Sequence, residues 1–253
     1  MGIYRFIEFP LIKKDGNITW TGKYPNMEAV EKQKKKVGSS SAWSREYLLK
    51  VISEDDQVIK DEDITKYPAS ILNETNDEGK KILKIKNGCS AVDLAISVKE
   101  TADYTAIISG IRADYLGRER ILIKPNPINR RMDFATTIKV IGNVHASMPL
   151  GSNIVVEDIA YQKAAIQELK RKGFSVKGIR PITDKKARLE TVAPYIKDGT
   201  VLFADIGCEE LIEQLVGFGV EAHDDMVDAL VYLILEFAQK KQGVVGVGKI
   251  DAM

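Results

Sequence analysis

From residue 90 onward the chain spaces its apolar runs in a way that few architectures accept. Ser90-Ala91-Val92-Asp93-Leu94-Ala95-Ile96-Ser97 reads as a buried strand. Across the polar turn Lys99 to Asp103, Tyr104-Thr105-Ala106-Ile107-Ile108-Ser109-Gly110-Ile111 reads as a second, so the two predict a hairpin. Glu119-Arg120-Ile121-Leu122-Ile123-Lys124 is a third strand, ended by Pro125. The rhythm then changes. Phe134, Ile138, Ile141 and Val144 recur at helical spacing. A strand at Asn153-Ile154-Val155-Val156-Glu157-Asp158 leads into a helix from Gln162 to Lys172, stopped by Gly173. Val176-Lys177-Gly178-Ile179-Arg180 is a strand before Pro181, followed by a helix from Asp184 to Ile196 and a short strand Val201-Leu202-Phe203. Two helices, Glu209 to Phe218 and Asp225 to Lys240, complete the pattern. Three strands joined by tight turns, then strands alternating with helices, predict an α/β fold: a mixed sheet flanked by helices on both faces. The strand order is not readable from the sequence.

The residues before this pattern behave differently. Tyr4-Arg5-Phe6-Ile7-Glu8-Phe9 predicts a strand ended by Pro10, and a turn at Asp15-Gly16-Asn17 precedes Ile18-Thr19-Trp20. Residues 26–50 read as helix in two halves separated by Ser39-Ser40-Ser41, with a lysine run whose ordinary role is a solvated face. Residues 53–80 are acidic and turn-rich and read as a linker. At the other end, Gly243-Val244-Val245-Gly246-Val247-Gly248-Lys249 has the glycine and lysine spacing of a phosphate-binding loop. Ile250 stands where a Ser or Thr hydroxyl should reach magnesium, and no helix follows to receive a phosphate. Residues 241–253 are therefore expected to be a flexible tail, with no nucleotide site.

Bulk properties exclude more than they assert. No apolar run approaches the roughly 20 residues of a membrane span. The first residues lack the apolar core and cleavage site of a secretory signal. Cys89 and Cys208 form neither a metal-ligand spacing nor a disulfide framework, so a reducing interior is expected. A net charge of +1 hides an uneven distribution. From Asp205 to Glu236 there is no Lys or Arg among nine acids, whereas Lys163, Lys170, Arg171, Lys172, Lys177, Arg180, Lys185, Lys186 and Arg188 crowd the preceding region. Acidic groups beside basic surface suit a polyanion held over metal ions, although solvated helix faces give the same pattern.

Three acidic stations stand out. Asp93 interrupts an apolar strand, where an ionised carboxylate is costly unless paired or bound to metal. Glu157 and Asp158 end a strand at the position where parallel-sheet enzymes often place functional groups. Asp224, Asp225 and Asp228 fall together in His223-Asp224-Asp225-Met226-Val227-Asp228-Ala229-Leu230; Asp225 and Asp228 share a helix face, and Asp224 falls at or near the N-cap. If the strands of Asp93 and Glu157 are neighbours, the start of the last helix closes a site around them. Solvent exposure of Asp93 and helix capping by Glu157, Asp158 or Asp224 are the alternatives.

The order of these stations resembles the nuclease domain of a tailed-phage large terminase subunit. The matching residues are Val92-Asp93-Leu94-Ala95 with Asp103-Tyr104-Thr105-Ala106, and Val156-Glu157-Asp158 with Ala160-Tyr161-Gln162. Asp184-Lys185-Lys186-Ala187-Arg188, Gly199-Thr200-Val201-Leu202-Phe203 and His223 to Leu230 continue them in order. Residues 15–70 resemble the connector between that family's two domains. The resemblance implies a ribonuclease H-like fold over residues 81–240, with residues 1–80 a remnant or connector of an ATPase domain. No phosphate-binding loop of that ATPase occurs here, so the expectation is a nuclease part: one half of a split gene, a remnant, or a piece of a longer chain.

The resemblance implies metal-dependent cutting of concatemeric double-stranded viral DNA during genome packaging. It makes Asp93, Glu157 and Asp225 the expected catalytic and metal ligands, with Asp224 and Asp228 as supporting metal acids and Lys185, Lys186 and Arg188 as DNA contacts. The implied cofactor is Mg2+ or Mn2+, two ions about 4 Å apart, since hard oxygen ligands suit these metals. Implied partners are double-stranded DNA, the portal protein, the small terminase subunit and a packaging ATPase, in the host cell cytoplasm. The rivals are another ribonuclease H-like nuclease, such as a junction resolvase or transposase-like enzyme, and a non-catalytic DNA- or portal-binding packaging module.

Overall fold

The structure, a computed structural model, describes residues 8–13, 15–38, 40–49, 57–94, 104–158, 162–181, 183–219 and 224–242. The expected strand at Tyr4, the turn Lys99 to Asp103, His223 and residues 243–253 lie wholly or mainly outside the described residues.

The helical region near the start folds into two short helices, α1 (Met27–Val37) and α2 (Ser40–Tyr47). Asn26 caps α1 by accepting a hydrogen bond from the Ala29 N–H. Gly38, with φ of 72°, ends it in the left-handed region. Lys34, Lys35 and Lys36 occupy its last turn, where positive charge complements the helix dipole. A small core of Leu11, Tyr24, Val30 and Trp43 joins the helices to the preceding turn, and the rings of Trp43 and Tyr47 stack at 4.4 Å.

Residues 57–72 do more than link. Within them β1 (Lys66–Tyr67) joins the sheet edge, and the buried Tyr67 donates a 2.8 Å hydrogen bond from its hydroxyl to the carbonyl of Ile123. A two-residue strand has no period to read, which is why the sequence pattern passed over it.

With one short strand added that was not predicted, Ile128–Arg130, the sheet follows the predicted order of elements. These are β2 (Lys84–Asp93), β3 (Thr105–Tyr115), β4 (Arg118–Ile123), the short β5 (Ile128–Arg130) and α3 (Phe134–Ala146). Then come β6 (Asn153–Glu157), α4 (Lys163–Arg171), β7 (Val176–Ile179), α5 (Lys185–Lys197), β8 (Val201–Ala204), α6 (Glu209–Val216) and α7 (Asp225–Gln242). The hairpin β2–β3 is antiparallel, with Ser90 opposite Ser109 and Asp93 opposite Ala106. Strands β3 and β4 are also antiparallel, whereas β6 adds parallel to β2 and β7 parallel to β6. The eight-stranded mixed sheet runs β1-β8-β4-β3-β2-β6-β7, with β5 pairing to the start of β3. The expected mixed α/β architecture is observed. Strand β2 begins earlier than predicted because its first half is partly exposed and shifts register between Ile85 and Asn87, so it lacks the buried apolar run used as the signal.

Two cores lie on opposite faces of this sheet. On one face Ile138 and Ile141 of α3 and Ala165, Ile166 and Leu169 of α4 pack with Val92, Ile107, Ile154 and Val156. On the other, α5, α6 and α7 cover Cys89, Ala91, Ile108 and Val155. Helix α7 lies against β2 and β3, and its residues Met226 to Ile234, Asp228 apart, form a continuous buried apolar run. Gly110 permits this approach: a Cβ there would stand 3.2 Å from a methyl of Leu233. Among the described residues no helix is long and apolar enough to cross a membrane.

Candidate active site

Strands β2 and β6 are parallel neighbours in the register Val92 to Val156. The next residue on each is acidic, so Asp93 and Glu157 emerge side by side at the same sheet edge. Alternation along the strands puts both on the face of Ala91 and Val155, which is the face packed against α7. The condition that the sequence left open, that these two strands be adjacent, is met.

Helix α7 brings the third station. The carbonyl of Asp224 accepts hydrogen bonds from the N–H groups of Val227 and Asp228, which places Asp224 at the head of the helix. A side chain from another helix satisfies one of the donors left over at this terminus: buried Gln214 of α6 accepts from the Met226 N–H at 3.1 Å. The carboxylate of Asp224 is engaged by Lys185 at 2.7 Å. Asp225 and Asp228, one helical step apart, are both buried.

These acids share one electrostatic environment. Burial pushes the Asp93 carboxyl well above the usual carboxylate range, and the charges of Asp228, Glu157 and Asp225 push it in the same direction. Lys185 opposes them. Helix α5 supplies the counter-charges. Asp184 caps it by accepting from the Ala187 N–H at 2.9 Å, which fixes the first turn. Lys185 and Arg188, three apart, then reach α7: Lys185 lies 2.8 Å from Asp228, and Arg188 also pairs with Asp228. Burial works against the charge of Lys185, but its bonds to Asp224 and Asp228 more than offset this and hold its pKa above the usual lysine value. Lys186 is exposed and faces a surface cleft with Glu190, Pro194 and Lys197, away from the acids. Asp158 is turned from the cluster and pairs with Arg180 at 3.1 Å.

Sequence reading gave no site role to three residues that contact this site. Tyr232 donates from its hydroxyl to Oε1 of Glu157 at 2.9 Å, and the Arg188 guanidinium lies 5.6 Å from its ring centroid. Burial and the neighbouring Glu157 charge raise the phenol's pKa, so Tyr232 keeps the proton it donates. Gln162, almost fully buried, reaches Oε2 of Glu157 at 3.4 Å and the carbonyl of Leu94 at 3.3 Å. Gln214 is the third. Helical spacing held the signal for Tyr232, which stands four residues after Asp228 and seven after Asp225. No comparable signal marks Gln214.

The donor set suits a hard divalent cation: carboxylate oxygens, gathered where their mutual repulsion is high. Among the described residues, no three His, Cys, Asp or Glu side chains stand close enough together to enclose an ion as placed. Lys185 and Arg188 of α5 pair with Asp224 and Asp228 in this arrangement.

Comparison with known proteins bears on this arrangement. Residues 145–237 match the terminase RNaseH-like domain family. Their span runs from the end of α3 into α7 and includes Glu157, Lys185, Arg188, Asp225 and Asp228. The fold agrees with the terminase nuclease domain beyond that span. The human cytomegalovirus terminase nuclease domain, in a form described as Mn soaked and inhibitor bound, is similar at a TM-score of 0.52 and 17% identity over 74% of this chain and 97% of that one. A second structure of the same viral domain gives 0.50 and 15% over 77% and 98%. The large terminase of a thermophilic bacteriophage gives 0.52 and 13% over 70% of this chain. This chain spans 44% of that phage protein. No curated protein sequence matches. The resemblance read from the motifs thus meets a family match over residues 145–237 and a ribonuclease H-like fold similar to that of terminase nuclease domains.

Proposed function

We propose that this chain is a divalent-metal-dependent endonuclease that cuts double-stranded DNA during viral genome packaging, as the nuclease part of a large terminase. The observation that carries the reading is the meeting of Asp93 and Glu157, from adjacent parallel strands, with Asp225 at the start of α7. The description of the cytomegalovirus nuclease as Mn soaked supports the choice of metal class. Asp93, Glu157 and Asp225 would hold Mg2+ or Mn2+; when bound, such ions activate water and neutralise charge on the phosphodiester oxygens. The chain's own groups do the rest. Tyr232 and Gln162 hydrogen-bond Glu157, Gln214 caps the first turn of α7, and Lys185 and Arg188 pair with Asp224 and Asp228. Lys186, exposed on α5, is our proposed contact to a phosphate backbone running past the acids. We read the protein as working in the host cytoplasm with portal, small terminase subunit and a packaging ATPase.

Plasmid cleavage with Mg2+, Mn2+ and EDTA, run beside Asp93→Ala and Asp225→Ala, tests this. Metal-dependent nicking of plasmid duplex that both substitutions abolish, with folding intact, is the expected result. A demand for four-way junctions would instead favour a resolvase.

One observation favours a second reading, a non-catalytic DNA- or portal-binding module: Lys185 and Arg188 already neutralise two of the acids. Absence of nicking across a range of protein and Mn2+ concentrations would support it.

A further inference from the structure

The two oxygens of Glu157 are held unequally. Oε1 takes a 2.9 Å hydrogen bond from the Tyr232 hydroxyl, while Oε2 has a longer, 3.4 Å contact with the amide of Gln162. Tyr232 cannot easily move to follow the carboxylate. It is 1% exposed, sits between the buried Val231 and Leu233 on the helix, and has Arg188 over its ring. Arg188 pairs at the same time with Asp228, one turn before Tyr232 on α7. A single set of contacts thus ties β6, α5 and α7 together around one carboxylate. Asp224 and Asp228 are held by cations instead, and Asp93 has like charge around it.

From this geometry we infer that Tyr232 is a positioning residue, which fixes the Glu157 carboxylate through Oε1 and presents Oε2 to the divalent cation. The inference rests on the metal-dependent reading above and deepens it. A flexible glutamate must give up side-chain rotamers when it ligates an ion. The phenol removes that freedom beforehand, and its donated bond stabilises the carboxylate. Partners that orient a metal-ligating group typically contribute about 10- to 100-fold to metal affinity.

The test is Mn2+ binding by calorimetry, without DNA, on the whole chain and on Tyr232→Phe, which keeps the ring and deletes only the hydroxyl. The expected result is a weakening of about 10- to 100-fold, with melting in EDTA close to that of the unsubstituted protein. In cleavage assays the Mn2+ requirement should rise while the rate at saturating Mn2+ recovers. Glu157→Gln, alone and combined with Tyr232→Phe, then separates positioning from a general structural effect. If Tyr232 acts through Glu157, adding Tyr232→Phe to Glu157→Gln produces little further loss; additive losses overturn the inference. Equal Mn2+ affinity in Tyr232→Phe and the unsubstituted protein overturns it too, while leaving the nuclease reading intact. Failure of the unsubstituted protein to bind Mn2+ at all would remove the metal-dependent reading and this inference with it.

Discussion

Arg188 of α5 and Asp228 of α7 form an ion pair almost withdrawn from water, with side chains 11% and 7% exposed. Such a pair gains little over two apolar residues, but losing one member strands the other. Asp228→Ala is therefore expected to lower unfolding stability by about 3 kcal/mol. Arg188→Met combined with Asp228→Leu should recover much of the loss. Urea unfolding of the single and double variants measures both effects.

Asp93 makes the metal-free fold sensitive to pH. Its folded pKa is raised by burial and then by Asp228, Glu157 and Asp225. A carboxyl that binds its proton more tightly when folded contributes stability that is full below its ordinary value of 3.8 and is lost as pH rises through the folded value. In EDTA at neutral pH, Asp93→Asn should thus melt above the unsubstituted protein. The gap should close as pH falls toward about 4. Melting curves across this range check it, and a gap that does not depend on pH would place the cause elsewhere.

A divalent ion should offset the same repulsion. At about 100 times its dissociation constant, a ligand that binds only the folded state adds about 2.7 kcal/mol. Mn2+ is expected to raise the melting temperature, EDTA to reverse the rise, and Asp225→Asn to suppress it. Differential scanning fluorimetry reads all three.

The contact of α7 with the sheet predicts a coupled pair. Gly110→Ala places a methyl 3.2 Å from Leu233, and overpacking of this kind costs about 1–3 kcal/mol. Leu233→Ala alone opens a cavity and should cost about 2–5 kcal/mol. Together they should cost less than the sum, because each relieves the other's defect. Chemical denaturation of the two variants and their combination gives the coupling.

If Lys186 touches a DNA phosphate, Lys186→Ala should weaken duplex binding equally for unrelated sequences. The slope of log affinity against log salt should become shallower by about 0.9. Fluorescence anisotropy at several salt concentrations measures that slope. An unaltered slope would remove Lys186 from the DNA surface.

Much of this fold is local and was therefore legible. Ile138 and Ile141 mark the buried stripe of α3, whereas Phe134, at the same spacing, is exposed, and Asp184 caps α5 as a helix start signal should. Glu157 and Asp225 sit where the strand and helix patterns place them, at the end of β6 and the start of α7. Residues 66–67 and 128–130 were not legible as strands, because runs of two and three residues carry no period. The site was legible as a set of acids but not as an arrangement: Asp158 follows Glu157 directly, yet alternation turns it away to Arg180.

The amino-acid sequence by itself determined the succession of elements and the acids at the ends of β2 and β6 and the start of α7. Those features depend on the spacing of apolar and polar residues within a few turns or pleats. Tertiary structure alone decided that β6 lies beside β2, that β8 inserts between β4 and β1, and that Tyr232, Gln162, Lys185 and Arg188 reach the acids. The physical reason is separation along the chain. Strand pairing and the contact of Tyr232 with Glu157, like the ion pairs from α5 to α7, form between groups that only burial of the two cores brings within reach. No local period records them.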